Sequence, residues 1–122
     1  MNRQERPEAI IKTMPLVAIW QEQKPREFLA SLKRVNAGDE IWLAPLPTVP
    51  KIEVLYFYFL IKGRVRYRLN ISHYEDGGTR TFSDGRVWTA KTWAVLTGPV
   101  VRPPHKVEMR GFQGFRYSGV LF

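Results

Sequence analysis

The chain has 122 residues, which suits one domain, and it contains no cysteine, which excludes disulfides, thiolate metal sites and cysteine nucleophiles. Lys and Arg number 19 against 11 Asp and Glu, leaving a net charge of +8 and a pI near 10.1. A field of that sign attracts polyanions, with nucleic acid first and an anionic membrane second.

Residues 1–14 are largely polar and charged, with a small apolar patch at Ala9, Ile10 and Ile11, and read as an N-terminal arm, loose or briefly helical. A single domain follows over 15–122. Leu16 to Trp20 (LVAIW) is short and apolar, bounded by Pro15 and Gln21, and reads as a buried strand. The stretch KPREFLASLKRVNAGD is the best helix: Pro25 suits the first turn, and Phe28, Leu29, Leu32 and Val35 recur at helical spacing. Asn36 and Gly38 can end it in a left-handed conformation. GDEIWLAP then begins a strand that Pro45, Pro47 and Pro50 bring to an end in a surface loop.

From Leu55 to Ile71 the odd positions are apolar or glycine throughout, and the register does not change at Gly63. One long strand bent at Gly63 accounts for this. A hairpin turning at Lys62-Gly63 is the competing arrangement. Asp76-Gly77 and Asp84-Gly85 are turn signals around TRTF. WAVLTG, VVRPP, HKVEM and FRYSGVLF supply further short strands. One helix among many strands predicts an α+β, mostly β fold: a small curled sheet or pseudobarrel with one or two covering helices. The longest apolar run, Val54 to Ile61, is too short for a membrane-spanning helix, and the N-terminus lacks the apolar stretch of a signal peptide. With no cysteine, these features predict a soluble, cytoplasmic protein.

Lys62, Arg64, Arg66 and Arg68 alternate with Gly63, Val65, Tyr67 and Leu69. On a single strand with its odd residues buried, the four cations project together, ~7 Å apart. Such a ladder suits a phosphate backbone, and affinity would fall with salt. The bland alternative is neutralisation by Glu53, Glu75, Asp76, Asp84 or Glu108. A second cluster, MRGFQGFRY, offers Arg110, Arg116, Phe112, Phe115 and Tyr117 as flanking cations and stacking rings. It superficially resembles the signature of RNA-recognition motifs, but it has one residue too many. Trp20 lies just ahead of Lys24, Pro25 and Arg26, so that a ring and a helix N-terminus form a candidate anion or base pocket.

The search for chemistry is negative. His73 and His105 are distant in sequence and lack companion carboxylates for a metal. There is no P-loop, dinucleotide fingerprint or nucleophile elbow, and no cofactor is implied. His73 and Glu75 share a side of the strand and read as a surface pair ahead of a general acid–base pair.

The helix, Gly38-Asp39 opening a strand, and the long segment carrying Gly63-Arg64-Val65 together resemble the PUA-like superfamily, with its ASCH and EVE branches nearest in style. The resemblance spans about Pro15 to Tyr117. It implies a pseudobarrel that binds RNA or a modified base in a cleft between helix and barrel, with Trp20 and Trp42 as candidate pocket rings. The Gly-x-Lys pattern of ASCH hydrolases is absent from EQKPREFLASLKR, although Lys24 and Arg26 are present.

These readings converge on a non-catalytic nucleic-acid-binding module, with RNA favoured over duplex DNA. Lys62, Arg64, Arg66 and Arg68 would hold phosphates, flanked by Lys24, Arg26, Arg110 and Arg116, and Trp20, Trp42 and Tyr117 would stack bases. The alternatives are an ASCH-type hydrolase or ribonuclease centred on Lys24, and a homodimeric interaction module pairing through aromatic strands near Tyr56 and Tyr58.

Overall fold

The computed structural model describes residues 8–13, 25–81, 85 and 87–122. In chain order they form strand β1 (Ala9–Thr13), helix α1 (Pro25–Ala37) and strands β2 (Trp42–Leu46), β3 (Tyr56–Ile61), β4 (Arg64–Thr81), β5 (Val87–Val101) and β6 (Phe115–Ser118). The strands build one six-stranded sheet in the order β2-β5-β4-β3-β1-β6. β1 runs parallel to β3, and the other pairs are antiparallel. The fold is α+β and mostly β, as the strand-rich pattern predicts. β2 and β6 stand at open edges, so the sheet does not close into a barrel.

Ala9–Thr13 is not an arm. It inserts between β3 and β6, because its apolar run can bury both faces: Ile10 on one, Ala9 and Ile11 on the other. The strand expected at Leu16 to Trp20 lies outside the described residues. β2 continues through Pro45, which pairs with Trp93, and an edge strand tolerates the missing donor.

Helix α1 lays Phe28, Leu32 and Val35 on the sheet, against a cluster that includes Phe57, Phe59, Ala94 and Leu96. Leu29, expected on that stripe, remains 42% exposed. Gly38 (φ +86) ends the helix as anticipated: its N–H donates to Val35 O at 3.1 Å, and Asp39 N–H to Arg34 O at 2.9 Å. The helix is fastened to β5 where Gly98 approaches it. A Cβ on Gly98 would stand 2.7 Å from Val35 O, and Val100 N–H donates to Asn36 Oδ1 at 2.8 Å.

The segment from Leu55 to Ile71 is a hairpin, not a bent strand. Lys62 (φ 50) and Gly63 (φ 77) form a two-residue turn with both residues left-handed, the combination that matches strand twist. The pairing begins Ile61↔Arg64 and Leu60↔Val65, then slips, so that Phe59 pairs with Tyr67 and Phe57 with Leu69. Arg66 is the extra residue of this bulge. A hairpin reverses the parity of its second strand, and the bulge reverses it again. The odd residues Phe57, Phe59, Tyr67 and Leu69 therefore share one face, which imitates an uninterrupted strand.

Asp76-Gly77 is likewise not a turn. β4 runs straight through it, and Gly77 is needed because a Cβ there would lie 2.1 Å from Lys91 O. Of the second signal, Gly85 falls between β4 and β5 with φ +89, and Asp84 lies outside the described residues.

Both faces of the sheet centre are covered. The α1 face buries Ile10, Phe57, Phe59, Ile61, Leu69, Ala94 and Leu96. The opposite face buries Ala9, Ile11, Tyr58, Leu60 and Val65 beneath Val107, Met109, Phe112, Leu121 and Phe122. The chain after β5 thus serves as a second layer on the face that no described helix covers. No helix among the described residues is long and apolar enough to cross a membrane.

Candidate nucleic-acid interface

The basic ladder does not survive as a row. Residues directly opposite one another share a face. Arg64, opposite Ile61, belongs with the α1 face, whereas Arg68, opposite Tyr58, belongs to the other. Arg66 occupies the bulge between them.

Arg68 is spent on the fold. Its Nη1 donates to the main-chain oxygen of Phe122, its guanidinium lies 4.4 Å from the centroid of Tyr56, and its Nε is buried without a partner among the described residues. A cation this engaged is not offered to a ligand.

The hairpin tip nevertheless gathers positive charge, by a route the strand pattern does not show. Past Val101, β5 no longer pairs with β4, and the returning chain takes its place. Val65 N–H donates to Val107 O at 2.9 Å, and Met109 N–H to Gly63 O at 3.0 Å. Glu108 thereby bridges to Arg64. These bonds hold Lys106 and Arg110, both exposed, beside Lys62, Arg64 and Arg66. Glu108 is the one acid in that returning stretch, and among the described residues no ion pair neutralises Arg64 or Arg66. Nearby, Arg102 is exposed and stands 5.7 Å from the centroid of half-buried Tyr67. Arg102 and Lys106 were missed in the sequence because they sit in a proline-containing connection with no periodicity.

The other candidates separate. Arg116 pairs with Ile11, on the face away from α1, and lies 4.3 Å over the Phe112 ring. Trp42 is packed edge-on to Phe28 at 5.4 Å and tilted on Phe59 at 5.4 Å, so it is a core ring and not a free platform. Tyr117 is half-buried beside Phe115, and its hydroxyl accepts a hydrogen bond from Lys51 N at 2.8 Å. Trp20 and Lys24 lie outside the described residues, as does the side chain of Arg26.

His73 and Glu75 do form a surface network. Ser72 Oγ lies 2.9 Å from His73 Nδ1, His73 Nε2 lies 3.0 Å from Glu75 Oε2, and Arg80 donates to Glu75 Oε1 at 2.6 Å. The hydrogen bonds from His73 and then Arg80 hold the Glu75 carboxyl below its ordinary pKa. Glu75 is thus a satisfied anion and a weak proton acceptor. Among the described residues no three of His, Asp and Glu gather as a metal would need. Comparison with protein-family models, curated proteins and solved structures returns no match.

Proposed function

We propose that this protein is a nucleic-acid-binding module that receives an RNA single strand across the β3–β4 hairpin tip. The observation that supports it most directly is the main-chain pairing of 107–109 with Gly63 and Val65, which collects Lys62, Arg64, Arg66, Lys106 and Arg110 around Glu108. Two chain segments that repel each other are held together there by the sheet, and a polyanion relieves that repulsion. A single strand is favoured over a duplex because the one described helix spends its apolar stripe on the sheet, and its Arg34 is paired with Glu40 at 3.1 Å. A cysteine-free chain suits the reducing cytoplasm.

Fluorescence anisotropy with a labelled single-stranded RNA, repeated across salt concentrations, tests this reading. Arg64→Ala combined with Arg66→Ala should weaken binding at least about tenfold. It should also flatten the logarithmic salt dependence by about 1.4, from ~0.7 per lost phosphate contact. Unchanged affinity and slope in the double variant would remove the hairpin tip from the interface.

A further inference from the structure

A second feature lies on the α1 side of the sheet, where the long β4–β5 hairpin reaches past the ends of β1 and β2. Lys12, Pro45, Pro47, Gly77 and Trp88 are among the residues that line an open cleft of about 750 Å³ there. That volume falls within the range of small-molecule sites. Lys12 pairs with Phe59 and Phe115, so its side chain leaves the sheet on the Phe59 face, toward the core and not toward open solvent. Among the described residues it has neither an ion pair nor a hydrogen bond, and none that lines the cleft is a carboxylate.

A half-buried, unpaired cation is costly to keep, and an anion entering the cleft repays that cost. Burial lowers the pKa of Lys12, in keeping with an amine that lacks a counter-charge. Trp88, half-buried, and the rings of Pro45 and Pro47 supply flat apolar walls beside that cation. Charge and flat wall together select a ligand that joins an anionic group to a planar ring.

We infer that this cleft is a nucleotide site, in which Lys12 faces the phosphate and Trp88 takes the base by stacking. Base–aromatic stacking tolerates any base, so the site selects nucleotides as a class and not one sequence. The inference stands on the cleft and does not depend on the hairpin tip.

Uridine and adenosine 5′-monophosphates, titrated against tryptophan fluorescence and amide NMR shifts, test it, with inorganic phosphate and uridine as the separate halves of the ligand. Both nucleotides should bind at least about tenfold more tightly than either half. Lys12→Met and Trp88→Phe should each weaken nucleotide binding about tenfold, with the second serving as the test if the first fails to fold. The Arg64→Ala and Arg66→Ala double variant should keep its mononucleotide affinity. A short uridine oligomer that binds more tightly than the monomer, and loses that gain in Lys12→Met, assigns the site to one unit of a strand. An oligomer equal to the monomer assigns it to free nucleotide. Nucleotides that bind no better than phosphate, or that bind Lys12→Met and Trp88→Phe as well as the parent, overturn the inference. Salt-sensitive RNA binding that persists in that case leaves the hairpin-tip reading intact.

Discussion

The Tyr58 hydroxyl donates to the main-chain oxygen of Phe122 at 3.0 Å and accepts from Leu121 N–H at 2.8 Å and Phe122 N–H at 3.2 Å. The two rings also meet edge-on at 5.0 Å. Tyr58 is wholly buried, so this one phenol fastens residues 121–122 over the face that no described helix covers. Arg68 joins the same oxygen. Tyr58→Phe keeps the ring but leaves the part-buried Leu121 and Phe122 N–H groups without their acceptor, while the Phe122 oxygen keeps Arg68. It should lower stability by about 1–3 kcal/mol, measured by urea unfolding. Hydrogen exchange at Leu121 and Phe122 should speed up more than at β3. A variant as stable as the parent would show that the hydroxyl does not hold this layer.

Gly77 allows β4 and β5 to approach where they flank the cleft. An added methyl group there would meet the Lys91 carbonyl at 2.1 Å and the Ala90 carbonyl at 2.5 Å, both of them backbone atoms that cannot swing aside. Gly77→Ala should cost about 2–4 kcal/mol, the scale of a forced strand separation. Gly119→Ala, where a Cβ has nothing within 4 Å, should stay within ~0.5 kcal/mol. Thermal melting of the two variants side by side checks the contrast, and equal melting temperatures would contradict the close approach.

Tyr74 has the most displaced phenol. Burial first, then the nearby Tyr117 and Glu53, push its pKa up from 10.0 to about 12, and its hydroxyl lacks a partner among the described residues. Between those values the unfolded chain has released the proton while the folded chain retains it. Folding stability should therefore fall as pH rises above about 10. Ultraviolet titration should show a phenol that ionises near pH 12 and disappears in Tyr74→Phe, and that variant should lose less stability between neutral and strongly basic pH. A Tyr74→Phe protein with the parent's full titration curve would refute the assignment.

What was legible in the sequence follows from short-range rules. The stripe of Phe28, Leu32 and Val35, with Gly38 after it, requires only the helical repeat and a left-handed cap, and both appear as read. The abundance of strand needs only β-branched and aromatic runs cut by turn signals. Composition alone carries the net charge of +8.

Long-range pairing decided the remainder. Alternation along Leu55 to Ile71 records parity, and a two-residue turn plus a one-residue bulge leaves the parity of a straight strand, so two different structures share one pattern. Which face each arginine takes, and the diversion of Arg68 to Phe122, therefore depended on register. Lys12 was lost for a related reason. Its burial comes from β1 pairing with β3 and β6, more than forty residues away, and nothing within Ala9–Thr13 foretells that. Local propensity and charge are properties of neighbouring residues, and the sequence determined them by itself. The grouping of cations at the hairpin tip and the cleft around Lys12 exist only once distant strands are paired, so the tertiary structure alone could decide them.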